Sequence, residues 1–156
     1  MTHTAQLAGE IIIQRPAAEV FDFVADERNE PSYNPQLVAA EKITSGPVGA
    51  GTRYRAETRT RGGRTVLMTI EITGYDRPRR LDSSTTLAMM DIQGTLIFEP
   101  VARGTRMRWS WQVRPRGLLR LATPAIAWQG RRQEQAIWAS LKRYLEGHGP
   151  RPDPYQ

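Results

Sequence analysis

The segment PAIAWQGRRQEQAIWASLKRYLE, Pro124 to Glu146, decides how the chain folds. Within it Ile126, Gly130, Gln133, Ile137, Leu141, Tyr144 and Leu145 recur at spacings of three and four, which is one stripe of a helix. Arg131, Arg132, Glu134, Gln135, Lys142 and Arg143 fill much of the remaining surface. Pro124 suits a first turn, where its missing N–H costs nothing. Gly147, Gly149 and Pro150 are stop signals. A helix of this length spans roughly 35 Å at about 1.5 Å per residue. No upstream segment has a comparable helical pattern.

Moving outward, the stretch Thr105 to Val113 has the clearest alternation in the chain. Met107, Trp109, Trp111 and Val113 share one face, and Arg106, Arg108, Ser110 and Gln112 the other. Before it, Asp91 to Pro100 and Leu81 to Met89 read as strands, with Gly74 to Arg80 as a turn. Thr65 to Thr73 alternates, with Val66, Met68, Ile70 and Ile72 on one face. Gly62-Gly63 is a hairpin signal. Thr52 to Arg61 places Thr52, Tyr54, Ala56, Thr58 and Thr60 opposite five charged side chains, the pattern of a half-exposed antiparallel strand. Val38 to Thr44 is a modest strand. At the start, Leu7 to Gln14 carries the β-branched run Ile11-Ile12-Ile13, and Pro16 opens a short helix with Val20, Phe21 and Val24 on its apolar face. Prolines keep a second short helix, around Arg28 to Tyr33, brief. Short turns between consecutive strands predict antiparallel pairing. The fold class is therefore α+β: a curved antiparallel sheet of about seven strands packed on a long C-terminal helix, with two short helices after the first strand. One domain is expected over residues 1–149, followed by a frayed tail over 150–156.

This order resembles the helix-grip fold of the START-like (SRPBCC) superfamily, and within it the polyketide cyclase/dehydrase and lipid-transport family. The likeness rests on Arg15-Pro16-Ala17-Ala18-Glu19-Val20-Phe21-Asp22-Phe23-Val24-Ala25-Asp26, on Tyr33-Asn34-Pro35, on Val48-Gly49-Ala50-Gly51-Thr52, on Gly94 to Pro100, on Gly104 to Met107 and on Leu141 to Glu146. Where the family often has Trp-Asn-Pro, this chain has Tyr33-Asn34-Pro35. The resemblance implies a cavity between sheet and helix for an apolar or amphipathic small molecule.

Composition narrows the chemistry. The 156 residues contain no cysteine, which removes disulfides, thiol nucleophiles and thiolate metal sites. The two histidines, His3 and His148, lie near the ends, which argues against a His-based triad and a His-rich metal site. No cofactor and no metal are expected. Neither a signal peptide nor a transmembrane run is expected, and the expected address is the cytoplasm. The net charge of +6 comes from 22 Lys+Arg against 16 Asp+Glu. It reads first as a solvated surface, and second as attraction to anionic lipid or nucleic acid.

Tyr33, Tyr54, Thr58, Trp109, Trp111 and Arg131 are the candidate ligand-binding residues. The tryptophans share a face, Tyr54 and the threonines share another, and hydroxyls scattered over an apolar wall suit an oriented ligand. Each aromatic is equally compatible with plain core packing. Arg131 and Glu134 are also compatible with a surface pair. Asp22, Asp26 and Glu30 fall at helical spacing and read as solvated. The leading reading is binding of a lipid, isoprenoid or polyketide-like molecule. The alternative is a cyclase, aromatase or dehydratase acting on one, which would require an inward-facing titratable group, with Glu71, Arg131 and Tyr54 the ones to inspect. A third reading is peripheral contact with membrane or nucleic acid through the arginines of Arg53 to Arg61. It is the weakest for single strands, because no aromatics are interleaved on that face.

Overall fold

A computed structural model describes residues 3–60 and 62–148. Arg61 and the tail expected over 150–156 lie outside the described residues. Seven strands, β1 (Ala5–Ile13), β2 (Leu37–Lys42), β3 (Arg53–Arg59), β4 (Thr65–Asp76), β5 (Arg80–Thr86), β6 (Met90–Val101) and β7 (Gly104–Pro115), form one antiparallel sheet. Their order is β1-β7-β6-β5-β4-β3-β2. Each strand from β2 to β6 pairs with its successor, and β7 returns beside β1. Helix α1 (Ala17–Ala25) and a 3-10 helix (Glu27–Ser32) connect the two edge strands. Helix α2 (Thr123–Gly147) follows a second 3-10 turn (Gly117–Ala122).

The alternation in sequence sets which side of each strand is buried. Tyr54 and Ala56 of β3, Ile70 and Ile72 of β4, Leu96 and Phe98 of β6, and Met107 and Trp109 of β7 are all buried. They meet Val20, Phe21, Val24 and Ala25 of α1 and Ile137, Trp138, Leu141 and Leu145 of α2. Phe21 packs edge-on to Tyr75 and Phe98, with ring centroids 5.1 and 5.2 Å away. A smaller cluster of Ala5, Leu7, Val113 and Ala127 fills the space under the first turns of α2. The expected turn at Gly74 to Arg80 is shorter than the sequence indicates. A register shift between Ile72 and Gly74 lets β4 continue to Asp76, which leaves only Arg77 to Arg79 outside the sheet.

Two tryptophans of β7 owe their seats to glycines directly opposite them. Gly9 of β1 pairs with Trp109, and Gly94 of β6 pairs with Trp111. A Cβ at Gly9 would lie 2.3 Å from Trp109 Cζ2, and one at Gly94 would lie 2.0 Å from Trp111 Cε3 and 2.3 Å from the Ser110 carbonyl. The indoles lie flat over bare backbone, which fixes them across the inner face.

Helix α2 is held mainly along β1 and at its C-terminal end. The buried Arg15 guanidinium donates to the carbonyl of Leu145 at 2.8 Å and to that of His148. Lys142 donates to the Ile12 carbonyl at 2.7 Å. The Arg15 bonds satisfy helix-end carbonyls and place positive charge at the negative end of the helix dipole, while the Lys142 bond ties the helix to β1. The N-terminal end has no side-chain cap.

Candidate functional site

A group of acids and aromatic rings comes together where α2, β7 and the first 3-10 helix approach one another. A 3-10 helix has about three residues per turn, so positions i and i+3 are eclipsed. That aligns Glu27 with Glu30, and Tyr33 follows on the same line. Pro31 within the segment removes a donor and keeps it from becoming α-helical. The Asp26 side chain caps this helix at Arg28 N (3.1 Å) and binds the Arg28 guanidinium at 2.8 Å. Those bonds hold the Asp26 carboxyl below its usual range. Tyr54, on β3 beneath, donates to the Ala25 carbonyl at 3.3 Å and so anchors the start of the segment.

Glu134 of α2 enters from the other side. Its Oε2 accepts from Trp111 Nε1 at 3.0 Å and from Trp138 Nε1 at 2.8 Å. Burial pushes this carboxyl up to about 7. Its two indole bonds pull it down, and the Glu30 charge adds to the rise. Around it lie Trp109, 6.0 Å from Trp138 between centroids, and Tyr33, 6.2 Å from Trp138 and 6.0 Å from Phe23. Phe23 in turn stacks on Tyr144 at 5.4 Å.

Glu27 is the second interior acid. Although part of its side chain is exposed, its carboxyl Oε2 is buried and has no hydrogen-bond partner. Burial first, then Glu30 and Asp26, drive its pKa well above the usual range. Glu30 accepts from Asn34 Nδ2 at 2.8 Å. The Tyr33 phenol is likewise driven up, by burial and by Glu30, Glu27 and Glu134. The arrangement is an aromatic wall with carboxyls set into it. A neutral carboxyl donates to a carbonyl or hydroxyl, and an ionised one accepts from a hydroxyl or an amine. With Glu134 near 7, both forms are present at neutral pH.

Of the residues expected from sequence, Tyr33, Trp109 and Trp111 come together around Glu134, and Tyr54 supports the segment that carries Glu27. Thr58 is half-buried on β3, between Leu37 and Val66 in the sheet register. Arg131 is exposed and donates to the Gln6 carbonyl at 3.3 Å, away from this group. Glu71 points to the outer face, 3.3 Å from Arg53. Of the three titratable groups named from sequence, Tyr54 does face inward, and among the described residues Glu134, Glu27 and Tyr33 join it. For Glu134 the signal was present: it lies four residues before Trp138 and seven before Leu141, on the buried side of α2.

A concavity of about 470 Å³ lies between α2 and the segment before β2, lined in part by Asn34, Gln36, Gln133 and Ile137; Glu134 and the aromatic side chains around it are not part of its lining. Gln133 donates to Gln36 across it. Another, of about 520 Å³, lies toward the outer face around Arg55, Leu67 and Arg116. Among the described residues there is no cluster of His, Asp and Glu fit for a metal ion. No helix among them is long and apolar enough to cross a membrane.

Residues 4–146 match the family described as polyketide cyclase / dehydrase and lipid transport. Comparison with curated protein sequences gives no match. Among solved structures, a START superfamily protein from Mycobacterium smegmatis superposes with a TM-score of 0.80 at 10% identity, over 92% of this chain and 99% of the other. A protein from Thermus thermophilus gives 0.75 at 19% identity, over 92% and 99%. The di-domain ARO/CYC StfQ of the steffimycin biosynthetic pathway gives 0.76 at 10%, over 92% of this chain and 51% of that one. At these identities the likeness carries the fold alone.

Proposed function

Since the chain belongs to the polyketide cyclase / dehydrase and lipid transport family, we propose that it binds a small amphipathic molecule between the sheet and α2. The apolar body of the ligand lies against Tyr33, Trp109 and Trp138, and its polar end meets Glu134. The observation that carries this reading is the Glu134 carboxyl, set into an aromatic wall and held by two indole N–H groups. Such a group is costly to place in a plain core, and it gives a ligand a fixed orientation.

A second reading has a specific observation behind it. A shielded carboxyl titrating near 7 has the properties of a general acid or base for a ring closure or dehydration. Native mass spectrometry of the purified protein, followed by a thermal-shift screen of fatty acids, isoprenoids and aromatic polyketides, tests the first. A retained or stabilising ligand, lost on Trp109→Ala, is expected. No adduct and a flat screen would overturn it. A Glu134→Gln variant that still binds but no longer converts the ligand would favour the enzyme.

A further inference from the structure

The two most exposed large apolar side chains, with two further ones, lie at the end of the molecule where β7 passes into α2. Leu118 and Leu121, on the 3-10 turn before α2, are 84% and 78% exposed. Met89, at the β5–β6 turn, is 49% exposed and touches the same turn, its Cε 4.0 Å from where a Cβ on Gly117 would lie. Trp128, about two helical turns beyond Leu121, is 56% exposed, with the Arg132 guanidinium 4.9 Å above its ring. One exposed leucine needs no explanation, but several apolar side chains gathered at one end form the kind of patch that marks an interaction surface.

The charge around them is of one sign. The chain has no Asp or Glu between Glu99 and Glu134, while Arg114, Arg116, Arg120, Arg131 and Arg132 fall within that stretch. Asp91, across the sheet from Arg114, is held by Arg116 at 3.3 Å. Arg116 also ties the two turns together through the Leu87 carbonyl and, at 3.3 Å, the Met90 carbonyl. The tip is therefore braced, and it presents leucine, methionine and indole inside a collar of arginine.

We propose that this end of the molecule docks on a bilayer containing anionic lipid. Leu118, Leu121 and Met89 enter the acyl boundary, Trp128 sits at the headgroup level, and the arginines meet the lipid phosphates. A bilayer fits better than a folded partner because the apolar groups protrude singly from a turn, where a protein interface presents a packed patch. The proposal is independent of what the interior binds.

Flotation with phosphatidylcholine vesicles, with and without phosphatidylglycerol, tests it. Binding is expected only when phosphatidylglycerol is present, weakening about tenfold or more when salt rises from about 50 to 500 mM. A Leu118→Asp/Leu121→Asp variant, whose circular dichroism is expected to match the parent, should bind at least about tenfold more weakly. Arg120→Gln/Arg132→Gln should weaken binding likewise, and Arg79→Gln/Arg80→Gln, at the β4–β5 turn on the opposite end of the sheet, should leave it unchanged. Absence of flotation would overturn the proposal. So would binding that the leucine variant retains or that the Arg79/Arg80 variant loses. A lipid-free dimer abolished by the leucine variant would assign the surface to a second copy instead.

Discussion

At the scale of single residues, Glu134 makes stability depend on pH in a defined direction. Its carboxyl titrates near 7 in the folded chain and near the ordinary glutamate value of about 4.3 when unfolded, so the native state holds more protons between those limits. The stabilisation is full below the lower value and lost as pH rises through about 7. It amounts to at most about 4 kcal/mol, or a Tm difference of at most about 8–16 °C for a domain of this size. Glu27 acts in the same direction. The Tm difference between wild type and Glu134→Gln, followed from pH 5 to 8, is therefore expected to fall with rising pH. Parallel curves would refute the assignment. The sequence placed this residue beside the apolar stripe but left its direction open, because a broad stripe has an undefined edge. Gln133 and Glu134 are about 100° apart around the helix, and only the packing of Trp138 and Leu141 decides which turns inward. Glu27 escaped for another reason. A spacing of 3.6 groups Asp22, Asp26 and Glu30, whereas the actual 3-10 segment has a period of three and groups Glu27, Glu30 and Tyr33.

At the scale of elements, the pairing of small with large across strands sets the shape of the inner wall. Gly94→Ala would drive a Cβ into the Ser110 carbonyl and the Trp111 ring, and backbone cannot move aside as a flexible side chain does. A loss of about 1–3 kcal/mol is expected by urea denaturation. Gly49→Ala, with open space around it and no positive φ, should change stability by less than about 0.5 kcal/mol. Most strands were legible from alternation, and the pairing of consecutive ones from short turns, whereas the return of β7 beside β1 was not written in any turn. The long helix was legible from its periodicity and from Pro124, and ends within a residue of the predicted limits on either side. What alternation could not supply was the length of β4, because a register shift preserves the inward face while altering where the strand stops.

At the scale of the whole molecule, positive charge and stability are separate properties. The outer face carries an array in which Arg106 and Arg108 meet both Glu10 and Glu99, at 3.1 to 3.8 Å. These groups are hydrated, and pairs of this kind contribute between nothing and about 1 kcal/mol each. Raising NaCl from about 50 to 500 mM is accordingly expected to move Tm by less than about 3 °C, as read by calorimetry. A larger drop would mean that the array holds the sheet together. Composition disclosed the sign of the charge, but its distribution depends on which arginines the sheet register pairs with acids.

The Arg15 clamp gives the long helix a fixed end and a free one. Opening the C-terminal end would strip a buried guanidinium of its carbonyl partners. At the other end, the uncapped first turn breaks no comparable bond when it lifts. Any breathing of the helix is therefore a swing about its C-terminus. The gap widens first beside Ala127 and Gly130, on the way to the indoles that hold Glu134, while the seal near Leu145 stays shut.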